Sequence, residues 1–317
     1  MASRLHRALL AALITASVAL PVSGAARPSA VPAPAPPHLP PLTSAAPDAL
    51  DARYAAHRDG IRAAERAAAR HGDRRRAAAL RAMADPERRF LLFDGRDGGR
   101  TAEVVGDLSR AERIAVLVPG ADTSLDTYGR FHAGAVALRR ELGDRAAVVA
   151  WLGYRTPRTL SPEALTDGRA ADAAPRLAGF VHRLTGIKPG ARLSLLCHSY
   201  GSVVCARAAP GLRVTDLVLY GSPGTGTGHA GALRTRATVW AARSTGDRVA
   251  DVPHLRLRLP FGTVGFGTDP VSERFGARGF DAGTGGHSDY LKPGSTSLEN
   301  LARIVSGTTP TGGRHHA

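Results

Sequence analysis

The stretch Cys197-His198-Ser199-Tyr200-Gly201 places a serine between a predicted strand and a predicted helix. An apolar run at residues 193–196 precedes it, and small, helix-compatible residues follow from Ser202. Strand, sharp turn and helix in this order are typical of a nucleophile elbow, in which the turn holds a serine hydroxyl clear of the sheet. The usual pattern is G-x-S-x-G, and Cys197, a small residue, stands at its first glycine. The sequence therefore predicts Ser199 as a nucleophile on an α/β scaffold; the alternative is a serine in an ordinary strand-to-helix turn.

Strand-like and helix-like segments alternate along the chain from Arg89 onward. A hairpin is predicted first, because residues 90–93 and 101–105 flank the turn signal Asp94-Gly95. The later strand-like runs are unbroken and apolar, as in strands buried on both faces. We therefore expect a mostly parallel central sheet with helices on both faces. Further strands are predicted at 114–118, 146–151, 193–197, 217–220, 237–241 and 277–280, and helices at 128–142, at 177–184 and, after a capping box at Thr296–Glu299, at 296–305.

The N-terminal residues have the pattern of a targeting segment followed by a linker. A basic start precedes an apolar run from Ala8 to Val22, so residues 1–26 fit a signal peptide cleaved after Ala25 or Ala26. A retained N-terminal anchor is the alternative. Residues 27–47 are rich in proline and alanine and are expected to form an extended, disordered linker. The mature protein is therefore expected to be secreted or extracytoplasmic.

The rest of the chain divides into three parts. Residues 48–88 are rich in alanine, arginine and glutamate and predict a helical N-terminal segment that packs on the main domain. Residues 89–307 hold the alternating strands and helices and form that domain. Residues 308–317 are expected to be a tail.

The net charge of +15 raises the question of a polyanionic partner. Basic residues are scattered, with local density only around residues 66–89, and no pattern of a nucleic-acid module occurs. We therefore expect no nucleic-acid partner. A weak association with anionic polymers of the cell envelope is a hypothesis that the charge permits.

The sequence has two cysteines, Cys197 at the end of the elbow strand and Cys205 on the following helix. Export would permit a disulfide between them, since that helix folds back along the strand. Two small buried thiols are nevertheless the preferred expectation. No C-x-x-C motif and no zinc-ligand spacing occurs, so no metal site is predicted.

A serine hydroxyl becomes a good nucleophile only when a base takes its proton and a third group orients that base. With an elbow of this kind, the acid and then the histidine follow the serine along the chain. The acid is expected after the strand at 237–241, where Asp247 is preferred over Asp251. The candidate bases after that acid are His254, His287, His315 and His316. His287 is preferred because it lies in a glycine-rich loop before the final helix, whereas His315 and His316 belong to the predicted tail.

Two backbone N–H groups are expected to stabilise the oxyanion of a tetrahedral intermediate. One is the amide of Tyr200, the residue after the nucleophile. The other belongs to the loop after the strand at 114–118, where Ala121 is preferred and Asp122 is the alternative. His198, beside the serine, is expected to pack or to form a hydrogen bond rather than act as the base, because the elbow turns it away from the hydroxyl.

Seven short motifs follow one another between about residues 89 and 305: Pro119-Gly120, Cys197-His198-Ser199-Tyr200-Gly201-Ser202, Gly221-Ser222-Pro223-Gly224, Gly246-Asp247, Gly267-Thr268-Asp269-Pro270, Phe275-Gly276-Ala277 and Gly286-His287-Ser288-Asp289-Tyr290. In this order they resemble an alpha/beta-hydrolase family of actinobacterial proteins of largely uncharacterised function. Family members usually carry glycine at the position of Cys197. The resemblance implies the alpha/beta-hydrolase fold and serine-hydrolase machinery, and it fixes neither ester hydrolysis, amide hydrolysis nor acyl transfer.

The sequence thus predicts an exported serine hydrolase that cleaves a carboxylic ester of a small-molecule or lipid-like substrate. Ser199 attacks, His287 acts as base and then as acid, and Asp247 orients His287. The amides of Ala121 and Tyr200 hold the oxyanion, and no metal or organic cofactor is required. Two alternatives use the same fold: acyl transfer to an acceptor in the cell envelope, and a binding protein without catalysis.

Overall fold

An eight-stranded sheet forms the centre of the fold in the computed structural model, which describes residues 31–252, 257–259 and 262–312. The helices are α1 (Pro47–Arg70), α2 (Arg74–Met83), α3 (Tyr128–Leu142), α4 (Gly168–Ile187), α5 (Gly201–Ala208) and α6 (Thr296–Ser306). The strands are β1 (Arg89–Asp94), β2 (Arg100–Gly106), β3 (Arg113–Val118), β4 (Ala146–Leu152), β5 (Arg192–His198), β6 (Asp216–Tyr220), β7 (Thr238–Ala242), β8 (Leu257–Leu259), β9 (Gly262–Val264) and β10 (Arg278–Gly279).

The strand order in the main sheet is β1-β2-β4-β3-β5-β6-β7-β10. The hairpin β1–β2 is antiparallel, and β2 pairs antiparallel with β4. From β4 to β10 every neighbouring pair is parallel. One apolar core lies on each face of the sheet, the first filled by α4 and α5 and the second by α3 and α6. The predicted fold, a mostly parallel sheet covered by helices on both faces, is confirmed.

The register of the sheet brings the loops of interest to one edge. Val118 at the end of β3 pairs with Cys197 of β5, and Tyr220 at the end of β6 pairs with both His198 and Ala242. Because parallel strands end at the same edge, the loops that follow β3, β5, β6 and β7 are neighbours there.

The proline-rich segment before α1 packs on the domain over the part that the structure describes. Residues 31–46 form no helix or strand, yet Ala45 is buried and a side-chain N–H of Arg53 in α1 donates to the carbonyl oxygen of Pro40. This differs from a disordered linker, because short alanine and proline side chains lie close against α1 and β1. The predicted signal peptide, residues 1–26, lies outside the described residues. In the described part of the chain, no helix has the length and hydropathy needed to cross a bilayer.

The C-terminal end of the described chain is also held in place. The Asn300 side chain donates to the carbonyl oxygen of Asp281 at 2.8 Å and accepts from the amide of Thr311 at 2.8 Å. Residues 308–312 therefore form part of the domain surface rather than a free tail. The helix α6 begins at Thr296 as predicted, but its N-cap is Ser295, whose hydroxyl accepts from the Leu298 amide, rather than Thr296 of the predicted capping box.

The two cysteines form a disulfide, so the expectation of two thiols is wrong. Helix α5 runs back along β5 and brings the Cα atoms of Cys197 and Cys205 to 6.4 Å. Both residues are fully buried in the core on the α4–α5 face.

Candidate active site

Ser199 lies at the turn between β5 and α5 with a backbone φ of +51°. This left-handed conformation costs a residue other than glycine about 1–3 kcal/mol and persists only where the surroundings impose it. The Ser199 amide donates to the carbonyl oxygen of Tyr220 at 3.0 Å. A Cβ on Gly201 would lie 2.6 Å from the carbonyl oxygen of Val118 and 2.7 Å from that of Pro119, so the helix starts where only glycine fits.

Three side chains from three separate loops form a continuous hydrogen-bonded chain at this turn. Nε2 of His287 lies 2.9 Å from Oγ of Ser199, and Nδ1 of His287 lies 2.9 Å from both carboxylate oxygens of Asp247. Because an ionised carboxylate can only accept, Nδ1 carries the proton and Nε2 is left to accept from the serine hydroxyl. The Asp247 side chain is fully buried, whereas the His287 side chain is 36% exposed. The competing Asp251 is exposed, and His254 lies outside the described residues.

The environment of Asp247 keeps its carboxylate ionised. Burial acts to raise its pKa, but hydrogen bonds from His287, from the Tyr290 hydroxyl and from the Val249 amide outweigh it and lower the pKa to about 2. The last two measure 2.6 Å and 2.8 Å. Asp247 is therefore charged at any pH near neutrality and stabilises a positive charge on His287.

Tyr290 ends the motif that begins at Gly286, and the sequence alone predicts no role for it. Its hydroxyl donates to Oδ2 of Asp247 and accepts from the Ser244 amide at 3.1 Å. Burial, and then the bond to Asp247, raise the pKa of Tyr290 well above its usual value, so the hydroxyl keeps its proton. Gly221, with a φ of +56°, makes room for the pair, since a Cβ there would lie 2.9 Å from the Tyr290 ring and 3.0 Å from Oδ2 of Asp247.

His198 supports the loop that carries His287. Its Nε2 donates to the backbone carbonyl oxygen of His287 at 2.8 Å, and the centroids of the two rings are 4.7 Å apart. Burial, and then the neighbouring His287, lower the pKa of His198 to about 3. His198 is thus neutral and engaged with the backbone, as expected for a packed residue rather than a base.

The loop after β3 lies directly against the serine. A Cβ on Gly120 would lie 2.6 Å from Cβ and 3.1 Å from Oγ of Ser199. The amide of Asp122, the alternative oxyanion donor, is occupied because it donates to the carbonyl oxygen of Pro157 at 3.0 Å. In the part of the chain that the structure describes, the amides of Ala121 and Tyr200 donate to no protein group.

Residues 153–167 hold both the elbow and the loop after β3. The hydroxyl of Tyr154 donates to the carbonyl oxygen of Pro119 at 2.7 Å. The hydroxyl of Tyr200 donates to the carbonyl oxygen of Thr166 at 2.8 Å. The rings of Tyr154 and Tyr200 are stacked, with centroids 6.5 Å apart. One segment thereby fixes the two backbone stretches that carry the candidate oxyanion donors.

The arrangement has the parts that nucleophilic acyl transfer needs. The hydroxyl of the half-buried Ser199 lies within hydrogen-bond distance of an imidazole that can take its proton, and a buried carboxylate faces the other ring nitrogen. Across residues 31–252, 257–259 and 262–312, no group of three or more His, Cys, Asp or Glu residues could hold a metal ion.

Comparison with known proteins identifies the family. The model of an alpha/beta hydrolase family matches residues 94–257, about half of the chain. The chain belongs to this alpha/beta hydrolase family. The resemblance inferred from the motifs is thereby confirmed, and the family supports a hydrolase. Ser199 and Asp247 lie inside the matched range and His287 lies beyond it.

The similar sequences include mycobacterial proteins without an assigned activity. The uncharacterized protein Rv2079 of Mycobacterium tuberculosis is 30% identical over 254 residues, which cover 68% of this chain and 38% of that protein. The uncharacterized protein Rv0963c of the same organism is 35% identical over 186 residues, which cover 51% of this chain and 70% of that protein. The chain thus spans well under half the length of the first of these relatives.

Among solved structures, esterase LipW from Mycobacterium marinum is 17% identical with a TM-score of 0.43, over 78% of this chain and 88% of that chain. An esterase from Pyrobaculum calidifontis is 15% identical with a TM-score of 0.45, over 74% and 91%.

Proposed function

We propose that this protein is a serine hydrolase that cleaves carboxylic esters through an acyl-enzyme. The observation that carries the proposal is the chain of hydrogen bonds from Ser199 through His287 to Asp247. Oγ of Ser199 attacks the ester carbonyl while Nε2 of His287 takes its proton, and His287 then gives that proton to the leaving alcohol. Water attacks the acyl-enzyme by the same steps and regenerates Ser199.

The backbone amides of Ala121 and Tyr200 are the proposed hydrogen-bond donors to the oxyanion of each tetrahedral intermediate. Ala121 follows Gly120, which lies against Ser199, and Tyr200 follows Ser199 itself; neither amide has a protein acceptor among the described residues. Preorganised N–H donors of this kind contribute about 2.7–4 kcal/mol each to transition-state stabilisation. The partial exposure of Ser199 and His287 favours a substrate that reaches the site from solvent, such as a small-molecule or lipid-like ester.

Export belongs to the same proposal. Residues 1–26 have the pattern of a signal peptide, and the buried Cys197–Cys205 disulfide supports an oxidising compartment, where such bonds form and persist. The net charge of +15, or +13 after removal of the two arginines in residues 1–26, favours a weak association with anionic envelope polymers. N-terminal sequencing of protein recovered outside the cytoplasm should find a mature chain that begins at Ala26 or Arg27. A mature protein that still begins at Met1 would refute cleavage.

A fluorophosphonate probe and a series of nitrophenyl esters of increasing acyl length test the proposed activity. The folded wild-type protein should be labelled at Ser199, and Ser199→Ala should abolish labelling and lower the rate at least about a thousandfold. Ser288→Ala is the matched control, since Ser288 is an exposed serine beside His287 and should keep both properties. Absence of labelling in the folded wild type would refute the proposal in favour of a binding protein. Transfer products that dominate when an alcohol acceptor is present would indicate an acyltransferase instead.

A further inference from the structure

The Cys197–Cys205 disulfide encloses the turn that carries the proposed nucleophile. Cys197 lies on β5 two residues before Ser199, and Cys205 lies on α5 six residues after it. The amide of Tyr200, assigned above to the oxyanion, lies inside the same loop. The bridge therefore joins β5 and α5 covalently. The relative position of this strand and this helix determines where the Ser199 hydroxyl and the Tyr200 amide lie.

The two small positions of the elbow differ in how they let the helix approach the strand. At Gly201 the approach depends on a missing side chain, since a Cβ would lie 2.6 Å from the carbonyl oxygen of Val118. At Cys197 the usual glycine is replaced by a residue whose side chain lies in the same core as α5 and is bonded to that helix. A glycine allows the helix to lie close to the strand because it has no side chain. At Cys197 the disulfide instead holds α5 close to β5 through a covalent bond.

Among the described residues, one hydrogen bond joins β5 to α5 beside the disulfide, and the other contacts between them are apolar packing in the shared core. The hydroxyl of Ser202 donates to the carbonyl oxygen of Cys197 at 3.1 Å. Helix α5 has only eight residues, and helices this short depend on their contacts because nucleation is costly. Ser199 itself is held in a left-handed conformation that its own residue type does not favour. Loss of the disulfide should therefore change the position of Ser199.

We propose that Cys197 and Cys205 are positioning residues of the active site, and that their disulfide fixes Ser199 and the Tyr200 amide by holding α5 against β5. This inference rests on the proposed function, because its effect is measured as turnover at Ser199. Both cysteines are fully buried and so are not exposed to a substrate that arrives from solvent. The bridge therefore affects the alignment of reacting groups and changes kcat more than KM.

Two double variants separate positioning from stabilisation. Cys197→Ala with Cys205→Ala removes the bridge and keeps a side chain before the nucleophile. Cys197→Gly with Cys205→Ala removes the bridge and restores the G-x-S-x-G pattern. Both should lose thermal stability, with a Tm lower by about 5 °C or more. The alanine variant should lose about tenfold in kcat with KM changed less than about twofold, and the glycine variant should recover most of that kcat.

The assay uses the full chain at a temperature well below the Tm of both variants, with active sites counted by fluorophosphonate titration. A kcat per titrated site in the alanine variant within twofold of wild type would overturn the proposal and leave the bridge a purely stabilising role. Equal losses of kcat in the two variants would overturn the argument that the bridge replaces the glycine. A wild-type protein that neither binds the probe nor turns over esters would instead refute the proposed function.

Reduction of the wild-type chain gives an independent measurement if a variant does not fold. Tris(2-carboxyethyl)phosphine breaks the S–S bond to give two thiols while the phosphine is oxidised to its oxide with oxygen from water. Because both cysteines are fully buried, the chain is reduced in denaturant and refolded, and the fraction of reduced chains is read by thiol titration of an unfolded sample. The kcat should fall in proportion to that fraction and return on reoxidation. A fully reduced, folded chain with unchanged kcat would overturn the proposal.

Discussion

Replacement of Tyr290 by phenylalanine removes one hydroxyl at the buried end of the candidate catalytic chain. That hydroxyl donates to Oδ2 of Asp247 at 2.6 Å and accepts from the Ser244 amide at 3.1 Å. The aromatic ring remains, together with its edge contact to Tyr220 at 5.3 Å between centroids. The change therefore tests the hydrogen bonds with little loss of packing.

The expected loss of stability follows from the two bonds. A hydrogen bond to a charged group contributes about 1.5–3 kcal/mol, and leaving the buried Ser244 amide without its acceptor adds about 1 kcal/mol. At pH 7 the free energy of unfolding of Tyr290→Phe should therefore be lower than that of the wild type by about 2.5–4 kcal/mol. Loss of one donor should also let the pKa of Asp247 rise from about 2 toward its ordinary value.

The pH dependence of this difference has a definite sign. Asp247 has a lower pKa in the folded protein than in the unfolded chain, where it is about 3.9, so its contribution to stability is fully present above pH 4. That contribution is lost as the pH falls from about 4 toward 2. The Asp247 carboxylate stabilises Tyr290→Phe less than it stabilises the wild type. The difference between their free energies of unfolding should therefore be constant between pH 5 and 8 and should shrink below pH 4.

Urea unfolding at a series of pH values measures the stability difference, and ester turnover measures its effect at the site. We expect kcat to fall about tenfold with KM little changed, because Asp247 orients His287 less well. Tyr220→Phe is the control, since the hydrogen bonds to Asp247 come from His287, Tyr290 and Val249. An unfolding free energy of Tyr290→Phe within 0.5 kcal/mol of wild type at pH 7, with unchanged kcat, would refute this reasoning.

Three further substitutions test other parts of the structure. Gly201→Ala should displace the start of α5, because the new Cβ would meet the Pro119 carbonyl oxygen at 2.7 Å. The rate of fluorophosphonate labelling of the folded protein should therefore fall about a hundredfold, and labelling at the wild-type rate would contradict this. Tyr154→Phe should free that same carbonyl and lower kcat about tenfold, whereas a change confined to KM would argue against a role in holding the oxyanion loop. Glu103→Gln should lower the free energy of unfolding by about 3–5 kcal/mol in urea titrations, because it leaves the largely buried Arg88 without its charged partner; a loss below 1 kcal/mol would count against this ion pair.

Much of the fold could be predicted from the sequence because its strands are short and apolar. Residues 128–142 were predicted as a helix and form α3, and the run at 217–220 lies within β6. The elbow was predictable for the same reason, since β5 and α5 surround a single polar turn. Asp247 and His287 could be proposed because chain order restricts the choice to a few residues, and the structure brings their side chains to Ser199.

Contacts between residues far apart in the chain could not be predicted. Nothing near Tyr290 in the sequence indicates that its hydroxyl faces Asp247, because that contact depends on how the loop before α6 packs against the end of β7. The disulfide depends on the closeness of α5 to β5, which a pattern of small residues does not measure. The packing of residues 31–46 depends on a surface that forms only when α1 and β1 come together.

The late position of His287 in the chain has a consequence for biosynthesis. The loop that carries it joins β10 to α6, and α6 packs on the core beside α3. A nascent chain that has released residues up to Val252 therefore already contains the hydroxyl of Ser199 and the carboxylate of Asp247, yet lacks the imidazole of His287 that would accept the serine proton. Synthesis from the N-terminus thus delays assembly of this hydrogen-bonded chain until the residues around His287 have left the ribosome.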